Sequence, residues 1–116
     1  MPAKGDKIIC SIWSGPMPGI YIGFVNRDEY FSPDINRIIL VIDERECIVD
    51  LPPSFWKSCP EIRVARDRFG RNYLSYWIRK NNLLPPGLSR QVKGKEDRVV
   101  LEVIEPFRKF RLKKYE

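Results

Sequence analysis

The sequence predicts a mostly-β domain of about six or seven strands with two short helices, closed up as a barrel or a sandwich. Two observations carry this. Short apolar runs recur along the chain and are broken by turn formers, ten prolines and seven glycines in 116 residues. No strand–helix–strand rhythm of the kind that builds a parallel sheet is present. The length fits a single domain over 1–116, and a 43% hydrophobic content with fourteen aromatics is enough for a real core.

The elements follow in order. Residues 7–13, Lys7 to Trp13, form an apolar, β-branched run that the Gly and Pro residues at 15, 16, 18 and 19 end. Ile20 to Val25 reads as a second strand, in which Gly23 marks a bulge or a close backbone approach. Asn26 to Asn36 is polar and reads as a loop with one helical turn. Arg37 to Asp43 holds five consecutive aliphatics, the mark of a centrally buried strand. A charged turn over 43–46 returns the chain as a hairpin partner, Cys47 to Leu51.

Pro52 and Pro53 close that strand and preset a short helix over 53–58, which carries Phe55 and Trp56. Glu61 to Arg66 alternates, with Ile62 and Val64 on one face and Glu61, Arg63 and Ala65 on the other. A turn at 67–70 precedes Asn72, a good N-cap for a helix reaching about Asn81. Tyr73, Leu74, Trp77 and Ile78 make one apolar stripe on that helix. Pro85, Pro86 and Gly87 stop it, and residues 88–97 read as a mobile basic loop. Arg98 to Ile104 is a strand, and the basic tail 107–116 alternates again, with Phe110 and Leu112 facing one way.

Composition excludes several functions. With no histidine, Ser-His-Asp and Cys-His catalysis and imidazole-ligated metals are ruled out. Three cysteines, Cys10, Cys47 and Cys59, match no zinc spacing and no disulfide framework, which fits a reducing compartment. The opening Met1 to Asp6 has no hydrophobic signal core, and no apolar run nears the roughly 18 residues of a membrane span. The expectation is a cytoplasmic protein with no membrane partner and no cofactor.

Charge is strongly divided. Residues 1–50 hold five basic groups against eight acidic ones, whereas 51–116 hold sixteen against seven. A one-sided basic field is the footprint of a phosphate-backbone partner. Its densest part is Arg63, Arg66, Arg68 and Arg71, four forked donors suited to phosphates and guanine edges, with Asn72 beside them. A solvated hairpin tip is the plainer reading of the same run. Further clusters are Arg79 and Lys80, the loop with Arg90, Lys93 and Lys95, and the tail from Arg108 to Lys114. Arg79 and Lys80 also suit the negative end of a helix dipole, and the tail's cations suit an edge strand.

Most aromatics belong to the core, but Tyr76 falls off the helical stripe and is free to stack on a base. Asp34, Asp43 and Glu44 faintly fit a metal-dependent nuclease, yet the acidic-x-Lys tripeptide is absent. Cys10 lies within a strand, and neither Cys47 nor Cys59 has a base partner, so no metal or catalytic residue is assigned.

The stretch from Ile48 to Trp56, followed by a strand and then Tyr76 to Leu84, resembles the plant B3 domain and its bacterial restriction-enzyme relatives. Leu51, Pro52, Phe55, Trp77, Ile78, Asn81 and Leu83 fill the family's strand–helix and second-helix motifs, and Val99 to Ile104 would be the closing strand. The match spans residues 37–104. The family's Gly-Asp before that strand is replaced by Pro86 and Gly87 with a basic insertion. The resemblance implies a small open pseudobarrel of seven strands that lays a sheet face and loops into the DNA major groove. Gly5 and Asp6 with their strand are also similar to SH3-like barrels, including toxin ribonucleases of the MazF type.

The expected function is therefore nucleic-acid binding, with duplex DNA the favoured partner. Two alternatives stay open: an interaction module or accessory subunit with an acidic protein partner, and a MazF-like ribonuclease.

Overall fold

The structure, a computed structural model, describes residues 2–13, 17–83 and 97–115. Among the described residues, seven strands and three short helices follow one another: β1 (Lys7–Trp13), β2 (Gly19–Tyr21), α1 (Phe24–Tyr30), β3 (Arg37–Ile42), β4 (Arg45–Asp50), α2 (Pro53–Lys57), β5 (Glu61–Ile62), α3 (Tyr73–Lys80), β6 (Arg98–Glu105) and β7 (Lys109–Lys114). The strands form a single sheet in the order β4-β3-β7-β6-β1-β2-β5. All neighbours are antiparallel except β3 and β7.

The sheet nearly closes on itself. Arg66, four residues past β5, bridges to Ile48 of the opposite end strand through two backbone hydrogen bonds of 2.8 and 2.9 Å. One bridge in place of a full ladder leaves a seam between β4 and the 61–66 segment. The mostly-β barrel read from the sequence is therefore the observed architecture.

Alternation selects the inner face. Ile8, Cys10 and Ile12 of β1, Val99, Leu101 and Val103 of β6, and Phe110 and Leu112 of β7 all point inward and are buried. Phe31 stacks on Phe110 with ring centroids 4.9 Å apart and meets Phe55 of α2 edge-on at 5.3 Å. Helix α3 plugs the barrel with its expected stripe, Tyr73, Leu74, Trp77 and Ile78 all being buried. Its N-cap is Asn72, whose side chain accepts from the Ser75 N–H.

Three expectations need correction. Residues 20–25 do not form one strand: β2 ends at Tyr21, and α1 begins at Phe24. Gly23, at φ 87° and ψ 158°, adopts a conformation open essentially to glycine alone and turns the chain out of the sheet. The described residues therefore hold three helices, not two. The strand expected over 61–66 keeps only Glu61 and Ile62 in the ladder, and Ala65 turns inward and is buried. The tail is not a sheet edge, because β7 lies between β3 and β6.

Two close approaches shape the rest. A Cβ on Gly19 would collide with the carbonyl oxygen of Ile62, so glycine lets β2 pair with β5. Asp43 and Glu44, at φ 50° and 64°, make the two-residue turn between β3 and β4 with the positive φ values that match strand twist. Among the described residues, no helix is long and apolar enough to cross a membrane.

Candidate nucleic-acid interface

Asp67 organises the hairpin that carries the densest run of arginines. Its N–H donates to the Arg71 carbonyl at 3.0 Å, and its carbonyl accepts from the Gly70 N–H at 2.9 Å. Its Oδ1 accepts from the Phe69 and Arg71 N–H groups at 2.9 and 3.1 Å. Gly70, at φ 80°, supplies the left-handed turn. The Asp67 side chain is only 3% exposed, with Arg71 Nε 3.4 Å and Arg45 Nη1 3.9 Å from Oδ2. Burial pushes its pKa up, but the two N–H donors and the Arg71 guanidinium outweigh this and hold it below the usual aspartate value.

The hairpin so braced leaves its outward side chains projecting. Arg66, Arg68 and Arg71 are exposed, and Phe69 at the tip is 63% exposed. The Arg68 and Arg71 guanidinium carbons lie 4.8 and 5.1 Å from the Phe69 ring centroid. Arg66 donates to the Gly70 carbonyl at 3.1 Å, which bends it back along the hairpin.

A second group lies alongside, at the β3–β4 turn and α3. The Tyr73 hydroxyl and Lys80 Nζ both donate to Asp43 Oδ2, at 2.8 and 2.6 Å. Burial raises the Asp43 pKa, and the hydrogen bonds from Lys80 and Tyr73 with the Lys80 charge reverse this to a net lowering. The hydrogen bond to Asp43 pushes Lys80 upward. Burial, with donation to Asp43, raises Tyr73. Arg45 lies over the Tyr73 ring at 4.6 Å and beside Asp67, so it joins the two groups. Tyr76, 51% exposed, sits 5.3 Å from the Tyr73 ring and 5.5 Å from Lys80 Nζ.

Arg45 thus links the hairpin that carries Arg66, Arg68, Phe69 and Arg71, through Asp67, to Tyr76 and Lys80, through Tyr73. Two hollows flank it. One, of about 870 Å³, opens along the seam and is lined by Arg37, Ile48, Asp50, Glu61, Arg63 and Arg66 among others. The other, of about 370 Å³, lies between α3 and the end of β7 and brings Asn81, Lys113 and Lys114 next to Asp43.

The expected site residues divide accordingly. Arg63 faces the seam but is paired with Glu61 at 2.6 Å. Asn72 is committed to the fold: Oδ1 accepts from Ala65 N and Ser75 N, and Nδ2 donates to the Arg63 carbonyl at 3.1 Å. Arg79 donates to Ser75 Oγ at 2.6 Å on its own helix. Arg90, Lys93 and Lys95, and the loop expected around them, lie outside the described residues. In the tail, Lys109 pairs with Glu46 at 2.6 Å and Lys113 with Glu102 at 2.8 Å. The bond from Lys113 is the main cause of a lowered Glu102 pKa.

Sequence reasoning missed Arg45 and Phe69 as site residues. The signal for Phe69 was present: an aromatic between Arg68 and Gly70 at a turn has no inward face to occupy. No such signal marks Arg45, which reaches the site only because the Ile48–Arg66 bridge brings β4 beside the hairpin. Family models, curated proteins and solved structures alike return no match.

The site holds no metal-ligand set, since no three Cys, Asp or Glu converge among the described residues. The buried thiols are poor nucleophiles. Burial raises Cys10 to about 12. Cys47 is raised to about 11 by burial first and the nearby Asp67 charge second. The arrangement offers cations, forked donors and flat apolar rings.

Proposed function

We propose that this domain binds nucleic acid, with duplex DNA its preferred form, in the way the resemblance to B3-like pseudobarrels implies. The observation that carries the reading is the joining of Arg45, Arg66, Arg68, Arg71 and Lys80 around exposed Phe69 and Tyr76. Guanidiniums meet phosphates and guanine edges in a bidentate fork. Phosphate contacts supply affinity and register, and base contacts supply sequence preference. The hairpin that presents Arg66, Arg68 and Arg71 is braced by Asp67, so little ordering entropy opposes binding.

With Lys80 neutralised by Asp43, phosphate contacts from the four arginines predict a slope of log affinity against log salt of about −3.6, or roughly 150-fold weaker binding between 50 and 200 mM salt. Anisotropy titrations with duplex DNA, single-stranded DNA and RNA across a salt series test this. Tightest binding to the duplex with a steep slope is expected. Arg66→Ala with Arg68→Ala weakens binding strongly without unfolding the domain, and unchanged affinity in that variant rejects the assignment.

A second reading, docking to a protein as an accessory subunit, is favoured by a separate observation. Trp13 and Tyr21 are in ring contact at 6.2 Å, and Phe24 and Val25 are exposed at the start of α1 just past Gly23. Exposed apolar clusters of this kind are common at protein interfaces. This reading expects a stable protein complex on pull-down that Phe24→Ser with Val25→Ser abolishes and the arginine changes leave intact.

A further inference from the structure

Phe69 has an environment that core packing does not explain. It is the most exposed of the aromatics at the barrel surface, 63% against 51% for Tyr76 and 45% for Trp13 and Phe24. Exposing a phenyl ring forgoes the stabilisation that burying it would yield. The backbone beneath it is nonetheless rigid. The Phe69 N–H is held by Asp67 Oδ1, the turn is closed by Gly70 N to Asp67 O, and the strand stems are bonded from Asp67 N to Arg71 O.

Two cations accompany the ring. Arg68 and Arg71 lie over the ring, and Arg68 has no acidic partner among the described residues. Guanidiniums shield a ring weakly and exchange readily for phosphate contacts. When Arg68 and Arg71 move to phosphates on either side, the ring between them is uncovered toward the bases. A stiff hairpin that projects an apolar ring between two phosphate clamps has the form of a wedge.

Resting on the nucleic-acid reading above, we propose that Phe69 inserts at a base step of duplex DNA and stacks on the base it opens. The preferred site is then a step that unstacks cheaply, and pyrimidine–purine steps are the class that does so.

The test uses the whole chain and three duplexes of one sequence: a perfect one, one with a single-nucleotide bulge, and one with 2-aminopurine at a pyrimidine–purine step. A bulge has already met the unstacking cost, so the wild-type protein should bind it about tenfold tighter than the perfect duplex. It should also brighten 2-aminopurine. Phe69→Ala should bind perfect and bulged duplexes alike, leave 2-aminopurine dark and keep the wild-type salt slope. Phe69→Trp should retain the bulge preference. Equal wild-type affinity for perfect and bulged duplexes, with Phe69→Ala indistinguishable from wild type, overturns the wedge and leaves duplex binding standing. No binding to any of the duplexes overturns both.

Discussion

The Tyr73 hydroxyl donates to Asp43, thirty residues earlier in the chain, at 2.8 Å, and so ties the first turn of α3 to the β3–β4 turn. Lys80, two turns further along the helix, meets the same oxygen at 2.6 Å. One carboxylate therefore fixes the barrel plug, the hairpin beside the arginines and the cation nearest Tyr76.

Tyr73→Phe should cost about 1 kcal/mol of stability, the usual net value of one hydrogen bond, with the phenyl ring still buried. Urea unfolding measures this. A loss near zero would mean that Lys80 alone holds Asp43.

Asp43 and Asp67 both have folded-state pKa values below their ordinary ones. The folded state thus favours their ionised forms. The stability they contribute is complete above the unfolded value near 4 and is lost as pH falls through the lower folded value. The melting temperature should hold steady from pH 7 to 5 and fall progressively below pH 4. Asp67→Asn should melt lower at pH 7 and fall less steeply in acid. An acid limb as steep as that of the wild type would remove Asp67 from this role.

Asn72→Ala removes a helix N-cap and two further bonds that hold the Arg63–Ala65 backbone. Loss of the cap alone is worth about 1 kcal/mol, so the total should exceed that. Chemical denaturation should show a clear loss, while DNA affinity measured well below the melting temperature changes little. A variant of wild-type stability that fails to bind would instead make Asn72 a base reader.

Cations separate by their partners. Arg66→Ala with Arg68→Ala should reduce the magnitude of the salt slope by about two, roughly one for each lost phosphate contact. Lys109→Ala with Lys113→Ala should leave it nearly unchanged, because those lysines already neutralise Glu46 and Glu102. Equal effects from the two pairs would show that the whole basic half acts as a diffuse field.

Thiol labelling reports on packing. Cys59 is exposed, whereas Cys10 and Cys47 are buried. One rapidly reacting thiol is expected in the native protein and three after denaturation. A second fast thiol would mean that the barrel opens readily at β1 or β4.

The sequence by itself determined the local facts. Apolar, β-branched runs mark β1 and β6, period-two alternation marks β7, the aliphatic run marks β3, and the 3.6-residue stripe with its Asn72 cap marks α3. Each is legible because burial of one face repeats with the geometry of the element itself. It also located the arginine run from 63 to 71 and left Tyr76 off the buried stripe. Only the tertiary structure decided what these pieces become together. It moved Gly23–Tyr30 out of the sheet and set β7 between β3 and β6. Through one bridge at Ile48 and Arg66, it brought Arg45 beside Asp67. It also sorted the cations, spending Arg63, Lys109 and Lys113 on carboxylates and leaving Arg66 and Arg68 without acidic partners among the described residues. The reason is physical: a charge is neutralised by distance through space, and the partners of Lys109 and Lys80 lie 63 and 37 residues away along the chain.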